Sequence, residues 1–313
     1  MQLGISYFLS IKSYALMETL TDVAINPDPY LQKGDLVAAG LFFESIVMAA
    51  IAAFLAFQVN HVPRRYRNHL VLSTIIVFCA AIAAFYRRDY WIETSTNPVE
   101  FKFFDWFVTV PLMATLFYLL ARPAGAKVGF LLRTLFAVVV MLLFGYLGEA
   151  VYPEQAVLVG SIATLALVGI ISSIMLDGYR KVKAHSPDPA VRQGYLWLGL
   201  SLPLSWLAYP FCYLSVPGNL MEGFISPETT LIVYSFANVL SKGGLVMGVY
   251  FISIFSLEGR GLAVDAPMRQ SVAEGVTEAQ LREKNATYKV GKPSPAMVRS
   301  QQMPPSNLSS PWS

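Results

Sequence analysis

Long apolar runs separated by short polar connections make up most of the chain. Each run is long enough for a helix that rises about 1.5 Å per residue to cross a hydrocarbon layer about 30 Å thick. Seven membrane-spanning helices are predicted, at residues 36–58, 69–86, 101–120, 128–148, 156–176, 195–216 and 229–256. Proline or glycine, which end helices, stands in every connection, in NHVPRR, STNP, ARPAG, YPEQ, HSPDP and SVPGN.

The composition is typical of a protein that lies in a lipid bilayer. Of the 313 residues, 55% are hydrophobic and 14% are charged, and the mean hydropathy is +0.51. So few polar side chains do not cover a soluble globule of this size. The predicted fold class is therefore an all-α membrane protein, a seven-transmembrane-helix bundle in the cell membrane. The net charge of +3, with no basic run that contains aromatic residues, argues against binding to nucleic acid.

The cysteines and histidines do not indicate a metal site. Cys79 and Cys212 fall inside apolar runs, where a reduced, buried thiol is the usual state. His61, His69 and His185 lie in or beside polar connections, and no carboxylate or second histidine stands near them at ligand spacing.

Charge in the connections predicts the orientation of the chain. The first, third and fifth connections hold nine basic residues, whereas the second, fourth and sixth hold only Arg87 and Arg88, together with several acidic residues. Basic residues gather in short cytoplasmic loops. We therefore expect the amino terminus outside and the carboxyl terminus inside.

Further segments precede and follow the predicted bundle, which occupies residues 34–257. Residues 1–33 are expected to form an extracellular segment. A retained segment is favoured over a signal peptide, because the start lacks a basic region and a small-residue cleavage site. Residues 258–313 are rich in Pro, Ser and Gln and are expected to form a disordered cytoplasmic tail.

Two residues of opposite charge fall inside predicted spans, Asp105 in the third and Lys242 in the seventh. A charge at this depth costs about 2.5–3.5 kcal/mol on insertion scales and is a sign of function. One interpretation is a structural salt bridge, since two charges about 4 Å apart attract by about 4 kcal/mol at an effective dielectric constant near 20. The other is a lysine that forms a Schiff base with a carbonyl cofactor, with Asp105 as its counter-ion.

The sixth predicted span contains PLSWLAYPFCY, in which Trp206, Tyr209 and Pro210 share one face of a helix. They would form a rigid aromatic wall beside a cofactor, although the same spacing is more often plain packing.

Four motifs on four predicted helices occur in the order found in microbial rhodopsins. They are DWFVTVPL from residue 105, VMLLFGYLGEA from residue 140, WLAYP from residue 206 and the midpoint lysine of the seventh span. On these motifs the chain resembles microbial rhodopsins, and the proteorhodopsin branch most closely, over residues 34–257.

The resemblance implies a seven-helix bundle that holds all-trans retinal as a Schiff base on Lys242. Asp105 would be the counter-ion and first proton acceptor, and Thr109 would hydrogen-bond its carboxylate. The residues expected to line the retinal are Trp106, Met113, Trp206, Tyr209 and Pro210. Met113 occupies a position that tunes colour in this family.

Three residues depart from the family pattern. Lys102 replaces an arginine before the counter-ion, Asn238 replaces a second aspartate, and Leu116 replaces the acid that returns a proton to the Schiff base. With one carboxylate fewer, Asp105 is expected to stay ionised to lower pH than in relatives with two aspartates. One positive charge is then in excess, which an outward turn of Lys102, a bound anion or another carboxylate would relieve.

Glu44, in the first predicted span, is the candidate for that further carboxylate. The alternative is that it faces water near the outer end of the span or caps a neighbouring helix.

Light-driven outward proton transport with a slow photocycle is the function these residues favour, because Asp105 and Thr109 are present and Leu116 has no proton to donate. A photosensor is the alternative, since a slow cycle lets the activated state accumulate. Light-driven anion transport is weaker, because Asp105 occupies the place where an anion would sit. Failure to bind retinal would indicate another kind of transporter or a receptor. Enzymatic activity is not expected, and a homo-oligomer and a signalling partner for the tail are both left open.

Overall fold

The computed structural model of the chain describes residues 35–261, which are helical apart from short connections and contain no β-strand. The α-helices within residues 36–255 are α1 (Leu36–Gln58), α2 (Arg67–Thr94), α3 (Val99–Ala121), α4 (Val128–Tyr146), α5 (Ala156–Ser172), α6 (Arg180–His185), α7 (Pro189–Trp206), α8 (Ala208–Tyr213), α9 (Pro227–Asn238) and α10 (Gly244–Phe255). Wider π-helical segments extend α4, join α5 to α6 and join α9 to α10, at Leu147–Val151, Ser173–Tyr179 and Val239–Gly243. The compact helical unit ends at Glu258.

Aspartate side chains fix the first turns of two helices. Asp35 precedes α1 and accepts a hydrogen bond from the amide of Ala38 at 2.9 Å. Asp188 precedes α7 and accepts one from the amide of Ala190 at 3.0 Å. Each carboxylate satisfies an amide that the first helical turn leaves free, so these helices begin where a polar residue ends the connection.

Six helical stretches of the described chain are long and apolar enough to cross a membrane. They are Leu36–Gln58, Arg64–Thr94, Val99–Ala124, Val128–Val151, Pro153–His185 and Pro227–Phe255. These stretches correspond to six of the seven predicted spans. Large apolar side chains point away from the core, among them Phe136 at 72% exposure and Leu204 at 75%. A surface rich in such side chains matches lipid rather than water.

The remaining predicted span, residues 195–216, corresponds to α7 and α8, which are separated at Leu207. Pro210 has no amide hydrogen, so the carbonyl of Trp206 lacks the helical hydrogen bond that residue 210 would donate. The WLAYP motif that predicts an aromatic wall therefore also interrupts its helix.

The second predicted span is too short at its carboxyl end. Helix α2 continues past residue 86 to Thr94, and Ser95 ends it with a left-handed backbone conformation, φ 53°. Arg87 and Arg88, predicted to lie in a connection, are inside this helix at 0% and 6% exposure. Charges after an apolar run usually indicate a loop, but here Arg87 pairs with the buried Glu44, and Arg88 lies 3.4 Å from the carboxylate of the adjacent Asp89.

The predicted extracellular segment and almost all of the predicted tail lie outside the described residues.

Candidate functional site

Lys242 and Asp105 meet inside the helical core. Lys242 lies in the π-helical segment between α9 and α10, and Asp105 lies in α3. The Nζ atom of Lys242 contacts Oδ2 of Asp105, and the two side chains are 2% and 0% exposed. Because water does not screen the pair, each charge depends on the other. The contact agrees with both interpretations that the sequence allows, a structural bridge and an amine beside its counter-ion.

Thr109 lies one turn after Asp105 on α3. Its hydroxyl donates to the backbone carbonyl of Asp105 at 2.8 Å and lies 3.4 Å from Oδ1 of the same residue. The shorter contact is the stronger hydrogen bond. The helix backbone therefore holds the hydroxyl in place, within reach of the carboxylate.

An apolar cavity lies beside the Lys242 side chain. The space open to the centres of water-sized molecules is about 100 Å³. All the residues predicted to bind the cofactor line this cavity, namely Lys242, Trp106, Met113, Trp206, Tyr209 and Pro210. Further lining residues come from other helices and include Gly145, Glu149, Gly160, Tyr213, Tyr234 and Asn238. Helices α3 to α5 and α7 to α9 thus contribute to one site.

Three aromatic rings close one side of the cavity. Trp106 packs edge-on against Tyr209, with ring centroids 4.9 Å apart, and against Tyr234 at 5.9 Å. The rings of Tyr209 and Tyr234 lie 5.2 Å apart. Aromatic pairs at these separations pack in well-defined orientations. The wall is therefore built from α3, α8 and α9 and not from the sixth predicted span alone.

The residues around the cavity fit an aldehyde chromophore such as retinal. A buried amine beside a carboxylate is suited to form a protonated Schiff base, and the apolar lining suits a hydrocarbon chain. Glycine allows the close packing seen here, because a Cβ atom at Gly160 would lie 2.3 Å from the Tyr213 ring. The arrangement thus agrees with a chromophore attached to Lys242.

Lys102 forms a buried ion pair with Glu149. Its Nζ atom lies 2.5 Å from Oε1 of Glu149, and the side chains are 1% and 4% exposed. The ring centroids of Tyr234 and Trp106 lie 4.7 Å and 5.3 Å from the same nitrogen. Of the three ways of relieving the surplus charge, the structure thus supplies another carboxylate, and at Lys102 that carboxylate is Glu149 rather than Glu44. Glu149 lies in the π-helical segment after α4, where it neutralises the lysine.

Glu44 is fully buried on α1. Its Oε1 atom accepts hydrogen bonds from Nη2 of Arg87 at 2.7 Å and from Nδ2 of Asn238 at 3.0 Å. Asn238 in turn accepts a hydrogen bond from the hydroxyl of Tyr209 at 2.9 Å. The alternative positions for Glu44, facing water or capping a helix, are wrong because its partners lie on α2 and α9 inside the bundle.

The buried charges around Lys242 therefore pair one to one. The pairs are Lys242 with Asp105, Lys102 with Glu149, and Arg87 with Glu44. The excess positive charge expected from the sequence is absent from this group of residues.

Leu116 is fully buried on α3. It follows Asp105 by about three helical turns. A leucine side chain has no proton to give or accept, so this position separates the Lys242–Asp105 pair from one end of the bundle by apolar packing.

Arg87, Glu149 and Tyr234 are the parts of the site that the sequence analysis missed. Glu149 is the one acid in an otherwise apolar motif, and this was a usable signal. Tyr234 stands eight residues before Lys242, close to the same helix face. Arg87 gave no local signal, because its partner on α1 is 43 residues away in the chain.

Comparisons with known proteins identify the family. The family described as bacteriorhodopsin-like protein matches residues 37–253. The chain is 30% identical over 217 residues to the green-light absorbing proteorhodopsin of Gamma-proteobacterium EBAC31A08, covering 67% of this chain and 85% of the relative. It is 28% identical over 202 residues to sensory rhodopsin-1 of Halobacterium sp. (strain SG1), covering 63% and 70% of the two chains. The solved structure of xanthorhodopsin, a light-driven ion pump with dual chromophore, superposes with a TM-score of 0.60 at 23% identity, covering 71% of this chain and 94% of that one. The chain therefore belongs to the bacteriorhodopsin-like protein family and is an integral, multi-pass membrane protein.

Proposed function

We propose that the protein is a light-driven outward proton transporter with all-trans retinal bound as a Schiff base to Lys242. The observation that carries this proposal is the buried contact of Lys242 with Asp105 at the wall of an apolar cavity. The seven-helix bundle counts α7 and α8 as one interrupted span, and the amino terminus lies outside. The names of the relatives support a light-driven retinal protein, and xanthorhodopsin is described as an ion pump.

Asp105 is the counter-ion and the first proton acceptor in this proposal. Retinal, when bound, supplies a light-driven isomerisation that alters the surroundings of the Lys242 nitrogen. Asp105 holds a negative charge beside that nitrogen at rest and then accepts its proton, which neutralises both groups where charges are poorly solvated. Thr109 holds its hydroxyl beside the carboxylate throughout.

Return of a proton to Lys242 is the slow step of the proposed cycle. Helix α3 carries no acidic residue between Asp105 and its end at Ala121. Leu116 therefore leaves the nitrogen dependent on protons that arrive through water from the inner surface. A positioned acid contributes about 10²–10⁴-fold to a proton transfer, so its absence makes the late photocycle slow.

Light sensing is the second candidate, and Leu116 is the observation that favours it. Slow proton return prolongs the activated state, and a sensory rhodopsin is among the relatives. Anion transport has less support, because each cation near the cavity already faces a carboxylate.

Illumination of retinal-supplied cells in unbuffered medium tests the proposal. The expected result is acidification of the medium that a protonophore abolishes. The matched control is Lys242→Ala, which should give colourless cells and no light-dependent change. A coloured protein that leaves the external pH unchanged and forms a long-lived photoproduct would overturn proton transport in favour of sensing.

A further inference from the structure

The ion pair between Glu44 and Arg87 has no part in the transport steps described above. The two side chains are fully excluded from solvent and meet at 2.7 Å. They join α1 to α2 on the side of the bundle that faces Asn238. Burial of two charges is costly unless their geometry and further hydrogen bonds compensate it, so this pair requires a reason beyond helix packing.

Hydrogen bonds connect the pair to the cavity through one asparagine. Asn238 donates from Nδ2 to Glu44 at 3.0 Å and accepts at Oδ1 from Tyr209 at 2.9 Å. Asn238 stands about one helical turn before Lys242, and Tyr209 belongs to the aromatic wall. Glu44 therefore contacts, through Asn238, both the helix that bears Lys242 and the wall of the cavity.

Glu44 lies close enough to Lys242 and Asp105 to interact with them electrostatically. Its electrostatic neighbours are Arg87, Lys242 and Asp105. Like charges oppose ionisation of each other and unlike charges favour it. The pair therefore places two opposed charges near Asp105. Of its two members, Glu44 is the one that is hydrogen-bonded to Asn238.

The other groups that face Asp105 are neutral or already paired. The Cys79 thiol on α2 and the Tyr209 hydroxyl on α8 are its electrostatic neighbours, and both are ordinarily uncharged near pH 7. Lys102 on α3 is neutralised by Glu149. Besides the amine that Asp105 contacts directly, the Glu44–Arg87 ion pair thus brings a further pair of opposed charges near it.

We propose that Glu44 is the second carboxylate of the Lys242 site and a positioning residue for Asp105. Its negative charge, offset by Arg87, sets the pH at which Asp105 takes up a proton. It acts through Asn238 and not by contact with Lys242. This inference rests on the proposed function, because the colour of a chromophore on Lys242 reports the charge on Asp105.

The test is an acid titration of the visible absorption of the purified, retinal-loaded protein. Glu44→Gln leaves Arg87 uncompensated, so Asp105 should stay ionised to lower pH and the midpoint of the acid colour change should fall by about 1 pH unit or more. The absorption maximum at neutral pH should move to longer wavelength, because less negative charge stabilises the cationic nitrogen. The double variant Glu44→Gln with Arg87→Gln removes both charges, and its midpoint should return toward that of the unaltered protein.

Glu100→Gln is the matched control, because it makes the same charge change at an exposed position of α3 and should leave the midpoint in place. Equal midpoints for the unaltered protein and Glu44→Gln would overturn the proposal. A double variant whose midpoint stays at that of Glu44→Gln would overturn it as well. If Glu44→Gln does not fold, Glu44→Asp retains the charge on a shorter side chain and should give a smaller shift in the same direction.

Infrared spectra of the retinal-free protein give a readout that does not depend on colour. Glu44→Gln should remove a carboxylate band and leave the protonated-carboxyl region unchanged, whereas loss of a protonated-carboxyl band would contradict an ionised Glu44. An unaltered protein that never becomes coloured would instead count against the proposed function, and the infrared result would still decide the charge of Glu44.

Discussion

The ammonium group of Lys102 lies 2.5 Å from the carboxylate of Glu149, and both side chains are withdrawn from solvent. The pair joins α3, which carries Asp105, to the π-helical segment after α4. Since aromatic rings surround the lysine nitrogen and its side chain is 1% exposed, its charge depends on Glu149.

Glu149→Gln should destabilise the protein by about 3–5 kcal/mol, because it leaves a buried ammonium without a counter-charge. Thermal unfolding of the purified protein would measure the change. The matched control is Lys102→Met combined with Glu149→Leu, which removes both charges and should recover most of the loss. A single variant as stable as the unaltered protein would show that Lys102 does not depend on Glu149.

Asp105→Asn should move the absorption maximum to longer wavelength and abolish light-dependent acidification. The substitution keeps the shape of the side chain but removes the negative charge beside Lys242 and the proton acceptor. Visible spectra and the external pH of illuminated cells are the two measurements. An Asp105→Asn protein that still changes colour on acidification would place the titrating group elsewhere.

Leu116→Glu should accelerate the last phase of the photocycle by about tenfold or more, because it places a carboxylic acid on α3 from which the Lys242 nitrogen can be reprotonated. Flash photolysis at visible wavelengths measures the rate. Leu116→Gln has a similar shape and no acidic proton, so it should not reproduce the acceleration. Equal rates for the two variants would mean that the slow step is not proton return.

Asn238→Asp should raise the midpoint of the acid colour change by about 1 pH unit or more, because a carboxylate near Asp105 opposes its ionisation. The sign is opposite to that expected for Glu44→Gln. The titration of visible absorption measures both. Asn238→Leu breaks the hydrogen bonds to Glu44 and Tyr209 without adding charge. Comparison of the two variants therefore separates the effect of the added charge from the effect of losing these hydrogen bonds.

The helices and the central pair were predictable because their signals are local. Hydropathy marks each long apolar run, and a lone charge such as Asp105 or Lys242 is conspicuous within one. Helix α1 has the predicted bounds, and the connections hold the predicted proline and glycine residues.

The partners of the other charges were not predictable, because pairing depends on how distant helices pack. Arg87 and Glu149 stand near the ends of apolar runs, where a charge usually indicates a loop. Only the folded bundle brings Arg87 to Glu44 and Glu149 to Lys102. The interruption at Leu207 and the π-helical segments likewise arise from proline and from packing rather than from hydropathy.

The π-helical segment Val239–Gly243 places Lys242 where the helix is wider than its neighbours α9 and α10. Such segments depart from the regular ladder of backbone hydrogen bonds and are frequent at functional positions. Lys242 thus stands on the one stretch of this long helix whose backbone departs from α-helical geometry, with regular α-helix on both sides of it.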